Sequence, residues 1–223
     1  MRENVIQSNT VGSDGRTYIQ DDWYPGGLPV NIKLADNIYI DSSYGFESIH
    51  SLQKDGLSLD EAMGCYGEVN FLISPYGKVA VGKFTVLNST TLICNNSITI
   101  GNHCMLAWGS VITDSWAPTA GITVQTRGQL LIKSSSAPDR PFPFTSESKP
   151  VVIEDNCWVG FDAVIMPGVT LGRGSVISCK TVVDFNVPPY AVVGGSPAKI
   201  IKYLEMDDTE EARIHAFNEY LQG

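Results

Sequence analysis

Basic residues are scarce in this 223-residue chain: 15 lysines and arginines stand against 24 aspartates and glutamates, for a net charge of −9. Nucleic acid and anionic membrane are bound through a concentrated positive face, so that balance argues against both as partners. Long apolar runs are missing, and none approaches the roughly 18 residues that span a bilayer. The opening Met1-Arg2-Glu3-Asn4 carries no signal-peptide apolar core, which makes the cytoplasm the expected location. The five cysteines (Cys65, Cys94, Cys104, Cys157 and Cys179) form no CxxC pair. Their odd number points to free, mostly buried thiols in a reducing compartment. Three histidines are too few and too scattered for a zinc site, so no metal is expected. No phosphate-binding loop, GxSxG elbow or dinucleotide fingerprint is present. Charged residues make up only 17% and hydrophobic residues 43%, which excludes a disordered chain or a coiled coil.

What the chain does have is a repeat of six. From Ile153 an aliphatic residue recurs at Val159, Ile165, Leu171, Ile177 and Val183. Four residues after each comes a small or β-branched residue: Cys157, Ala163, Val169, Ser175, Thr181, Val187. Upstream the spacing gives Val81, Leu87, Ile93, Ile100, Leu106 and Ile112, with Thr85, Thr91, Ser97, Cys104 and Ser110 as small partners. One extra residue falls near Asn95-Asn96, which suits a bulge or turn. Six residues advance about 600° around an α-helix, so successive aliphatics would never share a face. On extended chain, residues four apart point the same way. One large and one small inward residue per rung therefore predict short strands joined by corners, stacked into a narrow prism.

Three stretches carry a family resemblance. Val151-Val152-Ile153-Glu154-Asp155-Asn156-Cys157-Trp158-Val159-Gly160, Ala163-Val164-Ile165-Met166-Pro167-Gly168-Val169 and Val187 to Lys199 resemble the hexapeptide-repeat acyltransferases, above all the maltose and galactoside O-acetyltransferases. Ile100 to Ala107 is similar to the same enzymes. The resemblance covers about residues 80–204. It implies an all-β fold, a left-handed parallel β-helix. Residues 1–80 are then an irregular lead-in with early coils, 81–204 the β-helix with an extended loop at 118–150, and 205–223 a C-terminal α-helix. Asp208 with Glu211 three residues on marks the start of that helix, and Ile214, Phe217 and Leu221 share one of its faces. The resemblance further implies a homotrimer, acetyl-CoA as co-substrate in a groove between subunits, and direct attack assisted by one histidine. A loop thrown out between coils, as 118–150 would be, covers a neighbour's active site in the family.

The residues expected to do the chemistry depart from that pattern. The family's histidine falls at position 117, before Pro118, and here it is Ala117. A methyl group moves no proton. Asp114, three residues earlier, can replace it as general base or can bond corner amides. His103 lies at another corner and reaches the site only from a neighbouring subunit. Trp116 stacks on a sugar ring or packs, and Asn88 matches an asparagine lining the family's acceptor pocket. Ala163 and Ser178 sit at small-residue stations of the carrier groove. Gly195, Pro197, Lys199 and Lys202 match the closing loop, where the lysines can meet phosphates. Asp184-Phe185 stands where a threonine-lysine pair is often found, so a basic contact to the coenzyme is lost. The expectation is an acetyl-CoA-dependent acetyltransferase acting on a sugar hydroxyl or amine. The other reading is a catalytically deficient homologue that serves as a binding or scaffold protein.

Overall fold

Corners set the architecture. His103, Asn156, Asp162 and Lys180 all adopt positive φ, between 54° and 59°, each at a bend between two short strands. Such turns redirect the chain after every rung, and the bends stack coil upon coil. The amide of Asn156 donates to the carbonyl of Asn102, and that of Lys180 to the carbonyl of Phe161. The computed structural model describes residues 9–116, 122–141, 146–212 and 214–215.

Among these residues the strands form three stacked sheets, of six, eight and five strands. The first wall runs from Ile32–Leu34 through Lys78–Val81 and Ser97–Ile100 to Thr170–Leu171. The second runs from Tyr39–Ile40 through Met105–Leu106 and Trp158–Val159 to Ala191–Gly194. The third runs from Asn70–Ile73 through Val111–Thr113 to Val182–Val183. Pairing along each wall is parallel and in register, as in Val159↔Ile177, three rungs of six apart. The last strand, Lys199–Tyr203, instead folds back antiparallel on Ala191–Gly194 and ends the stack. Regular coils begin as early as Ile32–Leu34, which pairs in register with Leu57–Leu59, so residues 31–80 are more orderly than their sequence suggests.

The core is the prism's interior. All twelve inward residues read from the repeat between Ile153 and Val187 are buried. Upstream, Val81, Leu87, Ile100, Leu106, Ile112, Thr85, Cys104 and Ser110 are buried as expected, and the register differs only over 91–97. Leu92 and Cys94 are fully buried, whereas Thr91, Ile93 and Ser97 alternate outward. The corner at Ser89, with φ of 44°, is one residue tighter than six-residue spacing allows. Two adjacent aliphatics, Leu92 and Ile93, left the sequence pattern no means of choosing between them. Leu106, with no exposed surface, pairs with Leu87 on one side and Val159 on the other. Leu106→Ala is expected to cost about 2–5 kcal/mol in urea unfolding.

Coil spacing is set where no side chain fits. A Cβ on Gly160 would lie 2.7 Å from the Cys179 amide nitrogen, and one on Gly172 2.5 Å from the Pro189 nitrogen. Both glycines follow an inward aliphatic residue at a point where backbone passes directly over backbone.

Two expectations for the irregular segments change. The stretch 118–150 is not all loop. It leaves and re-enters the prism through a small antiparallel ribbon, Ser115–Trp116 with Glu147–Ser148, and carries helix α1 (Val124–Ser136). The Thr123 hydroxyl caps α1 by accepting from the Thr126 amide at 3.1 Å, and no residue of the helix is buried. At the C-terminus, residues 210–212 and 214–215 are helical. Thr209, not Asp208, caps this turn, accepting from the Ala212 amide at 3.2 Å. Asp208 is held elsewhere, by Arg173, Tyr190 and Asn156. Ile214 is 55% exposed. Phe217, Leu221 and Ala117 lie outside the described residues.

Candidate active site

Register decides which candidate residues meet. Asn88 pairs with Tyr66 at the end of the second wall. One step past the pairs Leu87↔Leu106, Leu106↔Val159, Val159↔Ile177 and Ile177↔Val193 lie Asn88, Ala107, Gly160, Ser178 and Gly194. These five form one column along a prism edge. Four carry a side chain no larger than a hydroxymethyl group; the place of a Cβ is taken at Gly160 by the Cys179 backbone and at Gly194 by Ile201 and Ser178. Gly195 and Pro197 follow in the exposed turn beyond it, and Lys199 pairs back onto Gly194. Lys202, opposite Val192, is exposed on the same strand as Lys199.

Around the bend from this column stand two aromatic rings. Trp108 and Phe161 occupy equivalent places on successive coils, with centroids 5.3 Å apart. They are 54% and 45% exposed. Asp162 follows Phe161, and its amide donates to the Trp108 carbonyl at 3.0 Å. Its carboxylate stands over Gly109, where an added Cβ would collide with Oδ1. The sequence reading did not single out Trp108, Phe161 or Asp162. They are 53 or more residues apart in part, and only the corner ladder unites them. Their signal was the equivalent spacing of both aromatics after the inward aliphatic of each rung.

Asp114 is not a base in this geometry. It has no exposed surface. Its carboxylate accepts from the amides of Asn95 at 2.8 Å and Asn96 at 2.7 Å, and from the Cys94 thiol at 3.3 Å. A general base must touch the acceptor's proton, and this one faces its own backbone. Burial, together with Asp114 alongside, pushes the Cys94 thiol up to about 12, which leaves it un-ionised and inert. Trp116 lies on the ribbon beside Glu147, away from the column. His103 sits on the edge between the first and second walls, stacked on Phe84 with centroids 5.2 Å apart. Ala163 is fully buried; its carbonyl accepts from the Val111 amide and its own amide donates to Gly160. Both its backbone groups are therefore used within the coils.

A second polar cluster fixes the chain end. Asp208 accepts from Arg173 Nε at 2.7 Å, from the Tyr190 hydroxyl at 2.9 Å and from the Asn156 side-chain amide. Burial works to raise its carboxyl, but hydrogen bonds from Tyr190 and Arg173 outweigh it and hold the group below the usual carboxylate range. A depressed pKa means that this contribution to stability is present above the unfolded value and is lost as pH falls through the folded one. The wild-type protein should therefore lose an increment below about pH 4 that Asp208→Asn lacks, measured as the difference in thermal midpoint across pH 3–7.

Comparison with known proteins places this geometry. Residues 150–184 match the family model described as bacterial transferase hexapeptide (six repeats). Chloramphenicol acetyltransferase of Agrobacterium fabrum is 48% identical over 58 residues, 26% of this chain and 28% of that protein. The 2,3,4,5-tetrahydropyridine-2,6-dicarboxylate N-acetyltransferase of Staphylococcus aureus is 41% identical over 70 residues, 31% of this chain and 29% of that protein. The chain thus spans under a third of the length of these curated relatives. Among solved structures, AntD, an N-acyltransferase from Bacillus cereus in complex with dTDP and 3-hydroxybutyryl-CoA, superposes with a TM-score of 0.56 at 13% identity, covering 86% of this chain and 92% of that one. Galactoside acetyltransferase in complex with coenzyme A gives 0.52 at 23% identity, covering 66% and 64%. Residues 150–184 are thus similar to bacterial transferase hexapeptide repeats, and they lie in a left-handed β-helix that continues the same stacking on either side of them.

Proposed function

We propose that the protein is a coenzyme-A-dependent acyltransferase that acetylates a sugar hydroxyl or amine by direct transfer, working as a homotrimer. The column of small residues from Asn88 to Gly194 carries this reading. A pantetheine arm is long, thin and mostly apolar, and it needs a trough without side chains to lie in. Ala107, Gly160 and Gly194 put no long side chain of their own in its way, and the half-buried Ser178 hydroxyl, which makes no hydrogen bond among the described residues, is free to meet an amide of the arm. Lys199 and Lys202 stand exposed at the end of the column, where the nucleotide's phosphates would fall. The name-bearing relatives and the solved neighbours are acyltransferases, several in complex with coenzyme A, which supports the same reading.

Proton removal is the step that departs from the family. Position 117 is alanine, and Asp114 is buried against backbone. An amine needs less help than a hydroxyl, because its neutral form attacks a thioester unaided and loses its proton afterwards. A hydroxyl acceptor would need His103 of a neighbouring protomer. The direct trial measures thiol release from acetyl-CoA against panels of sugars and amines. Release that depends on acceptor is the expected result. No release, together with no calorimetric heat at millimolar coenzyme, would favour a binding or scaffold protein, the reading to which Ala117 and Asp184-Phe185 incline.

A further inference from the structure

We infer that the corner formed by Trp108, Phe161 and Asp162 is the acceptor platform and that it takes an amino-pyranose. The inference rests on the acyltransferase reading for its role, though not for its binding. Two exposed rings from successive coils, 5.3 Å apart and tilted by 35°, offer an aromatic surface beside the Ala107 and Gly160 positions of the column. Pyranose rings present C–H groups on one face and polar groups at their edge, so they stack on indole and phenyl rings while bonding sideways. Sideways partners are present. Asn88 lies one coil before Ala107 in the column, beside Trp108, and its half-buried side-chain amide makes no hydrogen bond among the described residues. Ser89, whose carbonyl accepts from the Gly109 amide at 3.1 Å, binds this turn to the Trp108 corner. Asp162 adds an exposed carboxylate, directed over Gly109 and without a side-chain hydrogen bond among the described residues. A carboxylate beside an aromatic wall is the pair that holds a protonated amine on a sugar ring, through a charge-assisted hydrogen bond and cation–π attraction, and the same carboxylate can take the ammonium's proton so that the neutral amine attacks the thioester; the proton lost from nitrogen after attack goes to the departing coenzyme thiolate. The acceptor then sits within reach of an arm lying in the column.

The test uses saturation-transfer NMR on the full chain with glucosamine, methyl glucoside and chloramphenicol as probes. Glucosamine should bind more tightly than methyl glucoside. Trp108→Ala should weaken glucosamine at least tenfold, and Trp108→Phe should restore part of it. Asp162→Asn, which keeps the corner's backbone conformation accessible, should abolish the preference for glucosamine over methyl glucoside. In turnover assays the two alanine or amide variants should raise the acceptor KM and leave coenzyme affinity unchanged. Failure of all saccharides to bind, a preference for chloramphenicol, or dissociation of the assembly in Trp108→Ala would each overturn the inference, the last because it would make the ring a contact between copies. Sugar binding without any coenzyme heat would leave this inference standing and remove the acyltransferase reading instead.

Discussion

Replacing Asp114 with alanine should destabilise the fold by about 3 kcal/mol and leave the pH–rate profile of the folded fraction unchanged. The carboxylate is fully buried and accepts two backbone amides at 2.7 and 2.8 Å, besides the Cys94 thiol. Truncation would orphan the amides of Asn95 and Asn96 inside the bend that carries the chain from the third wall to the first. Unmade hydrogen bonds in a buried place cost about 1–3 kcal/mol each, partly recovered if water enters the gap. Asp114→Asn retains one acceptor oxygen and should lose roughly half as much. Urea unfolding midpoints read the effect directly. An Asp114→Ala protein with wild-type stability but collapsed turnover would return this residue to the role of base.

Filling the column should have the second large effect. Ser178→Leu places a branched side chain between Gly160 and Gly194 on the outer edge of the prism, where the serine is only half-buried. Coenzyme affinity should fall by at least tenfold, or about 1.4 kcal/mol, in calorimetry. Stability should move by no more than about 0.5 kcal/mol, since no buried contact is removed. Unchanged affinity would move the carrier elsewhere. The outer face of the first wall is the alternative, with a cleft of about 370 Å³ lined in part by Lys33, Ser58, Ala80 and Asn102.

These two residues were not equally legible. Asp114 and Ser178 both lie in readable rungs, yet a rung gives only inward or outward. For Ser178 that gave its half-buried place on the edge, and the coenzyme contact proposed there rests on that place alone. For Asp114 it was not enough. The amides it satisfies belong to the preceding coil, 18 and 19 residues away, and no local pattern announces them. The same limit hid the capping role of Thr209, because Arg173 and Tyr190 reach Asp208 from two other coils.

The chain's own order of residues determined the prism. From Ile153 to Val187 every inward position follows from six-residue spacing alone, because an aliphatic and a small residue four apart can share an interior only on extended chain. Tertiary stacking decided the rest. It chose Leu92 over Ile93 through a bend at Ser89 one residue tighter than the repeat. It gathered Asn88, Ala107, Gly160, Ser178 and Gly194 into one edge, and sent His103 and Asp114 to the other two. The physical reason is that a periodic sequence specifies the contents of each rung. Which rungs lie over one another depends on the length of every bend and excursion between them, and that sum is settled only when the coils close.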